Sequence, residues 1–160
     1  CIRDSKYWKE KILKLINSED EFLQGVGIRL AANEYGATTK RPRRVGWTDA
    51  VLAKYARRIN GPNFILTKVD SLAGAEKFGI CYAHKLNTHT ITDYDLNDYS
   101  LRQITPEIKY YRGYKDISKI KNFNDLPAGL KQAISDFESF TGGKARIISV
   151  GPGREETIVR

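Results

Sequence analysis

Near the end of the chain, a predicted helix is followed directly by an apolar predicted strand. This order limits the possible folds. The helix is predicted over residues 124–143, with Asp125 as its cap, Pro127 in its first turn and Gly142 after its end. The apolar segment ARIISV follows and is typical of a buried strand. Helices that alternate with strands are typical of α/β proteins. We therefore expect an α/β fold with a partly parallel sheet and flanking helices.

Two further helices are predicted near the start of the chain, where apolar residues recur every three or four positions. The first covers residues 5–18. The second is predicted to begin at a capping box formed by Ser18 and Glu21 and to stop at Gly36. Its predicted apolar stripe consists of Phe22, Val26 and Leu30.

The middle of the chain contains a third predicted helix and three predicted strands. The helix covers residues 47–60 and is ended by Gly61 and Pro62. Its predicted buried face consists of Leu52, Tyr55, Ala56 and Ile59. The predicted strands cover residues 63–70, 79–86 and 105–112, and the polar segment 87–104 is predicted to be a loop.

Length and charge restrict the kind of protein further. The chain has 160 residues without a repeat or a linker, so we expect one domain over residues 1–160. No apolar run approaches the ~18 residues of a membrane span, and we expect a cytoplasmic location. The formal net charge is +8, which favours an anionic partner. The chain has no methionine and begins at Cys1, so we expect it to be the C-terminal piece of a longer protein.

The cysteines and histidines give no metal-binding motif. No pattern surrounds Cys1 or Cys81, and His84 and His89 are five apart, with no acidic or cysteine companion in a ligand motif. We therefore predict no metal site from the sequence.

Basic residues are concentrated in the loop ATTKRPRRVGWTDA, residues 37–50. Lys40, Arg41, Arg43 and Arg44 fall within five positions, after two threonines. The segment is open to three interpretations: a solvated charge run, a nucleic-acid contact, or a site for a small anion. Hydroxyl groups and paired arginines favour the last, because guanidinium groups bind carboxylates and phosphates through two hydrogen bonds at once.

The segment TKVD, residues 67–70, follows an apolar predicted strand. Ligands of α/β proteins bind outside the carboxyl ends of strands. Asp70 could accept two hydrogen bonds from guanine, while Lys68 lays its aliphatic stem over the base. The alternative is an ordinary cap or surface charge.

The segment SVGPGRE, residues 149–155, follows the last long predicted strand. Its glycines would let the backbone approach a flat ligand closely. A simple turn is the alternative.

Taken in order, these loops resemble the adenylosuccinate synthetase family. The resemblance rests on NEYGATTKRPRRVGWTDAV, LTKVD, GYKDISKIKNFNDLP and ISVGPGREETI, and it covers roughly residues 20–160, with residues 1–19 not placed. It implies the C-terminal part of a P-loop-NTPase-like synthetase fold. It also implies a cytoplasmic, homodimeric ligase of purine biosynthesis. With magnesium, the family makes adenylosuccinate from IMP, L-aspartate and GTP.

The resemblance assigns roles to individual residues. The substrate-binding residues, for aspartate and IMP, are Thr38, Thr39, Arg41 and Arg43. The GTP-binding residues are Lys68, Asp70, Ser149, Gly151 and Pro152. Arg44 is expected to serve structure or the surface.

The chain departs from the family in two ways. Lys40 stands where the family commonly has glycine, which is costly if that position needs a positive φ. The family's N-terminal half, with its phosphate loop, its catalytic residues and its Mg²⁺ ligand, has no counterpart here. We expect no catalytic residue and no metal ligand in this portion, and no activity from the chain alone.

Two other functions compete with this interpretation. A basic nucleic-acid-binding module would use residues 40–44 and the third helix, and its binding would weaken steeply with salt. An enzyme with Cys1 as an N-terminal nucleophile would use its own α-amine as the base.

Overall fold

The protein combines two small sheets with helices. The computed structural model describes residues 6–94 and 97–160, so Cys1 and its suggested role as a nucleophile lie outside the described residues. The elements in chain order are α1 Lys6–Ile16, α2 Glu21–Ala32, β1 Thr48–Asp49, α3 Ala50–Asn60, β2 Asn63–Leu66, β3 Lys77–Leu86, β4 His89–Ile91, α4 Asp98–Leu101, β5 Thr105–Arg112, α5 Ala128–Thr141, β6 Lys144–Ser149 and β7 Thr157–Val159, with short 3₁₀ helices at Val69–Leu72 and Phe123–Asp125.

Both sheets contain one parallel pair. In the first sheet β3 pairs with β1 in parallel and with β4 and β5 in antiparallel orientation. In the second sheet β6 lies between β2, which is parallel to it, and β7, which is antiparallel. The expected α/β class with partly parallel pairing is therefore confirmed.

The core joins the two sheets through α5. Its buried members come mainly from β3, β5, α5 and β6, and they include Phe78, Tyr111, Phe137 and Ile148. A smaller cluster forms where α1 meets α2, around Ile16. Trp47 and Leu72 pack against both clusters, so one continuous apolar interior supports the loops described below.

Helix α2 forms where it was predicted, but its cap and its buried face differ from the prediction. Asp20, rather than a Ser18–Glu21 box, caps the helix by accepting a hydrogen bond from Leu23 N at 3.0 Å. Phe22 is 77% exposed, whereas Gly27 and Ile28 are buried. The reason is close packing, since a Cβ on Gly27 would lie 2.6 Å from the backbone nitrogen of Ile16.

The same helix ends earlier than predicted. It stops at Ala32, because Asn33 adopts the left-handed conformation with φ of 51° and its N–H bonds to carbonyls of the last turn. Gly36 instead lies in the loop that follows.

Helix α3 is also partly different from its prediction. It begins at Ala50, after Asp49 caps it by accepting from Val51 N and Leu52 N at 2.9 and 3.0 Å. Ala50 and Val51 are its buried residues. Three members of the predicted buried face are exposed instead, namely Leu52, Tyr55 and Ile59, and Ile59 is 68% exposed. The apolar stripe therefore faces away from the interior of the described chain.

The remaining elements follow the predictions with smaller differences. The polar segment 87–104 was expected to be a loop, but it contains β4 and the short helix α4. Helix α5 ends at Thr141 and Gly142 follows its end as predicted, whereas Asp125 lies in a separate 3₁₀ turn and does not cap it. No helix within residues 6–94 and 97–160 is both long and apolar enough to cross a membrane.

Candidate functional site

The basic loop is a short hairpin that leaves α2 and returns toward β1. A bridge joins Tyr35 to Pro42, and the N–H of Gly36 donates to the carbonyl of Arg41 at 2.8 Å. Lys40 sits at the turn with φ of 54°, in the left-handed region. Its ammonium group donates to the carbonyl of Ala37 at 2.9 Å. Lysine therefore occupies a position with positive φ, the case in which its replacement of a glycine is costly.

The predicted aspartate-binding side chains lie on the surface of this hairpin. Thr38, Thr39 and Arg41 are exposed, and Thr39 Oγ1 accepts from the N–H of Arg41 at 3.4 Å. Arg43 is also exposed, but its guanidinium donates to Glu34 Oε2 at 2.8 Å. The loop therefore presents hydroxyl and guanidinium donors to solvent, with one of the guanidinium groups held by an internal carboxylate.

The predicted guanine-binding segment follows β2 at a sheet edge shared with β6. Because β2 and β6 are parallel, with Leu66 opposite Ile148, their carboxyl ends meet at the same edge. The strand stops at Leu66, earlier than predicted, and Lys68 turns the chain with φ of 58°. Asp70 then lies in a 3₁₀ turn rather than in the strand itself.

Asp70 lies near a buried tyrosine. Burial, and then the negative charge of Asp70, raise the pKa of Tyr114 well above its ordinary range. The Tyr114 hydroxyl donates to the carbonyl of Val69, which fixes the turn that carries Asp70.

The ammonium group of Lys68 is anchored at its far end. It donates to the carbonyl of Ala32 at 2.7 Å and forms an ion pair with Glu34. Glu34 thereby contacts both Lys68 and Arg43. Hydrogen bonds from Lys68 and then from Arg43 lower the pKa of Glu34, so this carboxylate is ionised at neutral pH.

The third predicted loop connects β6 to β7 beside the same edge. Ser149 Oγ donates to the carbonyl of Gly151 at 2.9 Å, and Glu156 accepts from the N–H of Gly153 at 2.6 Å. Gly151 is buried, and a Cβ there would collide with the carboxylate of Glu156. Pro152 is exposed. The turn is therefore fixed by its own polar groups, with Gly151 packed against the side chain of Glu156.

A cavity of about 520 Å³ lies between α2, the segment 44–48 and the end of β2, with β3 and α5 at its base. Its polar lining includes Glu34, Arg44 and Lys68. Lys68 is the predicted binding residue in its wall, whereas Asp70, Thr38 and Arg41 are not part of it.

A second group of reactive side chains lies on the first sheet. Asp49, Cys81 and His84 bring one potential ligand atom each to within 4.8 Å of one another. Burial, and then the negative charge of Asp49, raise the pKa of the Cys81 thiol to about 11. A thiol and an imidazole are poor donors for Mg²⁺, which prefers oxygen ligands, so this group does not fit the family's magnesium ion.

Sequence reasoning missed two of these arrangements. Glu34 belongs to the NEYG segment quoted for the resemblance, but a glutamate beside a helix end carries no signal for its two distant cationic partners. The group around Cys81 was missed because Asp49 lies 32 residues before Cys81 and is brought to it by strand pairing, although Cys81 and His84 are only three positions apart.

The fold and its loops define an α/β protein that gathers polar loops at the carboxyl ends of parallel strands, as nucleotide-binding α/β proteins do. The family model described as adenylosuccinate synthetase matches residues 16–158. The chain therefore belongs to the adenylosuccinate synthetase family.

Individual relatives agree with this assignment. An adenylosuccinate synthetase of Thermoanaerobacter sp. (strain X514) is 43% identical over 148 residues, which are 91% of this chain and 34% of the relative. That of Bdellovibrio bacteriovorus is 41% identical over 84% of this chain and 32% of the relative. The solved structure of fully ligated adenylosuccinate synthetase from Plasmodium falciparum is similar with a TM-score of 0.79 and 32% identity, over 89% of this chain and 35% of that one. The chain thus spans about a third of the length of the relatives that it matches.

Proposed function

We propose that this chain is the part of an adenylosuccinate synthetase that binds L-aspartate and recognises the guanine of GTP. The whole protein would join L-aspartate to IMP with GTP as the phosphoryl donor, as a ligase of AMP biosynthesis. Residues 1–160 would act as one domain within it.

One observation carries this proposal: Glu34 contacts a cation from each of the two predicted binding loops. Arg43 belongs to the hairpin proposed for aspartate, and Lys68 belongs to the turn proposed for guanine. Loops that are distant in the sequence therefore meet at a single carboxylate. This supports one composite site that takes both ligands, rather than two unrelated surface features.

The hairpin has the chemistry that a dicarboxylate requires. Arg41 and Arg43 can each bind a carboxylate through two hydrogen bonds, and Thr38 and Thr39 add hydroxyl donors. Arg41 also reaches the IMP ribose in this proposal. Because Arg43 is already paired with Glu34, aspartate would share or replace that contact.

The β2 edge has the chemistry that guanine requires. The anchored ammonium of Lys68 holds the aliphatic stem in place, and the stem can cover one face of the base. Asp70 would accept from the two donors on the guanine edge. Ser149, Gly151 and Pro152 would close over the base from the neighbouring loop. Adenine would leave the carboxylate without its partners, at a cost of about 1–3 kcal/mol.

Several features of the family are proposed for the whole protein and not for this chain. The Mg²⁺ ligands and the phosphoryl-transfer residues are expected outside residues 1–160. A homodimer and a cytoplasmic location are likewise carried over from the family.

Nucleotide binding by the 160-residue chain tests the proposal. The unmodified chain should bind GDP more tightly than ADP in a calorimetric titration. Asp70→Asn replaces one acceptor by a donor, so the affinity for GDP should fall by about 2–3 kcal/mol, the scale of a lost charged hydrogen bond. Because xanthine has a carbonyl where guanine has its amine, the same variant should shift its preference toward XDP.

The control is Asp125→Asn, which makes the same chemical change at an exposed position in another turn. It should leave the GDP to XDP ratio unaltered. Equal binding of GDP and ADP by the unmodified chain, or an unchanged ratio in Asp70→Asn, would remove the guanine assignment.

A further inference from the structure

The Asp49, Cys81 and His84 group arises from two features of the first sheet. In the parallel pairing of β1 with β3, Asp49 stands opposite Cys81. Neighbouring residues of paired strands project to the same face, so their side chains are brought together by register.

A bulge in β3 adds His84 to this pair. Residues at positions 81 and 84 of a regular strand project to opposite faces. The pairing of β3 with β5 shifts register between Cys81 and Ala83, which inserts one extra residue. The bulge turns His84 back toward Asp49, and its Nε2 lies 2.7 Å from Asp49 Oδ2. Bulges of this kind re-aim side chains at functional sites.

The group is buried to the degree expected of a metal-ligand set. Cys81 and His84 are 4% and 3% exposed. Nδ1 of His84 is buried and has no hydrogen-bond partner among the described residues. An unsatisfied buried nitrogen is costly. Nε2, the ring nitrogen that faces Asp49 Oδ2, is the one that can share an ion with Asp49, and the ion would replace the hydrogen bond between them.

The group is also accessible from a cavity of about 320 Å³ between α2 and the first sheet. Asp49 and Cys81 form part of its wall, opposite Glu21 and Gln24. An ion can therefore reach the thiol and the carboxylate, and the cavity leaves room for a water molecule as a fourth ligand.

We propose that Asp49, Cys81 and His84 form a binding site for a thiophilic divalent cation such as Zn²⁺. Sulfur and imidazole donors select such ions over Mg²⁺. The proposal is independent of the nucleotide and aspartate sites.

Modest movement would complete the site. Zn–N and Zn–S bonds of roughly 2.0–2.3 Å place tetrahedral ligands about 3.3–3.8 Å apart, within the 4.8 Å spread of these atoms. Asp49 Oδ1 already caps α3, which fixes the carboxylate and leaves Oδ2 directed at His84. The thiol proton of Cys81 would pass to solvent as the sulfur–metal bond forms. The ion would then join β1 and α3 to β3.

Cobalt titration of the metal-free 160-residue chain tests this site. Co²⁺ occupies zinc sites and gives a thiolate-to-cobalt charge-transfer band only when sulfur is a ligand. We expect the band to saturate at one equivalent, to disappear when Zn²⁺ is added, and to be lost in Cys81→Ser. His84→Gln should weaken Co²⁺ binding at least tenfold.

Control variants separate this site from adventitious binding. Cys1→Ser and His89→Gln remove the other thiol and the other imidazole, and both should keep the band. Cadmium-113 NMR of the unmodified chain gives a reading that does not depend on any variant folding, because its chemical shift reports whether sulfur is bound. A wild-type chain without the band, a band that survives Cys81→Ser, a band lost in Cys1→Ser, or a cadmium shift typical of oxygen ligands alone would overturn the proposal.

Discussion

At the scale of single residues, backbone strain at Lys40 is the clearest departure from an ideal loop. Lys40 holds φ of 54°, where a Cβ is disfavoured by roughly 1–2 kcal/mol relative to the right-handed region. Its ammonium contact with the carbonyl of Ala37 offsets part of that cost. The hairpin therefore accommodates a lysine at a position with positive φ.

Substitutions at Lys40 should reveal this strain. Lys40→Gly removes the Cβ but increases the freedom of the unfolded chain, so the free energy of unfolding should change by less than about 1 kcal/mol. Lys40→Val places a β-branched residue in the same conformation and should destabilise by about 1–2 kcal/mol. Urea unfolding measures both. Equal stability of the two variants would mean that the loop relaxes to a different conformation.

At the level of single residues, the sequence pointed to Lys40 but did not identify side-chain partners. The resemblance to a glycine-containing loop indicated that a positive φ at Lys40 would be costly, without predicting that φ. It did not anticipate that Glu34 would hold both Lys68 and Arg43, because such contacts depend on how α2 and β2 are packed. Side chains that meet only through tertiary structure have no characteristic spacing in the sequence, so the sequence does not predict their contact.

At the scale of elements, α3 shows that an amphipathic pattern does not determine which face of a helix is buried. Its predicted buried face is largely exposed, whereas Val51 on another side is 1% exposed. Periodicity indicates that a helix has an apolar face, but it cannot indicate whether the partner of that face lies within the same 160 residues. Likewise, the bulge in β3 follows from pairing with β5 and not from any pattern within β3 itself.

Paired substitutions on α3 should distinguish its two faces. Ile59→Lys changes an exposed apolar residue and should alter the free energy of unfolding of this chain by less than about 0.5 kcal/mol. Val51→Ala removes buried methyl groups and should cost about 1–3 kcal/mol. Chemical denaturation checks both, and a large loss in Ile59→Lys would show that this face is packed in solution.

The junction of α5 with β6 depends on one buried carboxylate. Glu138 is 8% exposed; it accepts from the N–H of Ala145 at 2.9 Å and pairs with Lys144 and Arg160. Burial alone would raise the pKa of Glu138. The hydrogen bond from Ala145 and the two cations outweigh burial, so the pKa lies below the ordinary 4.5.

This shift predicts a specific loss of stability in acid. Because the folded pKa is depressed, Glu138 stabilises the fold above pH 4.5, and this contribution is lost as the pH falls through the folded value. Glu138→Gln should cost about 2–4 kcal/mol at pH 7 and should flatten the decline in stability below pH 4.5. Glu10→Gln, on the exposed surface of α1, is the matched control and should do neither. Unfolding free energies measured from pH 7 to pH 3 give the comparison.

At the scale of the whole molecule, the order of helices and strands was predictable, whereas their assembly into sheets was not. Alternating periodicity located α5 and β6 to within a few residues. The separation into two sheets, each with one parallel pair, depends on contacts between segments far apart in the chain. The resemblance identified the family, because several short motifs occur in the family's order. Hydrophobic periodicity predicts helices and strands but cannot identify a family.

The extent of the chain predicts the outcome of a turnover assay. It spans about a third of its relatives, and the phosphoryl-transfer residues are proposed to lie elsewhere. With IMP, L-aspartate, GTP and Mg²⁺, the 160-residue chain should release phosphate no faster than a blank without protein. Release above the blank, sensitive to omission of IMP, would contradict the proposed division of the enzyme.

The parallel pairing of β2 with β6 also bears on how the chain folds. Phe64 pairs with Ala145, so a long loop must close before this ladder forms. Closure lowers the conformational entropy of the chain before any hydrogen bond of the ladder can offset that cost. By contrast, α1 and α2 are neighbours in the sequence and can associate early. During synthesis β2 leaves the ribosome well before β6 exists, with its ladder groups unpaired and with Phe64 lacking the Phe137 ring that it contacts in the fold. Aggregation of nascent chains should therefore be governed by the interval before β6 arrives.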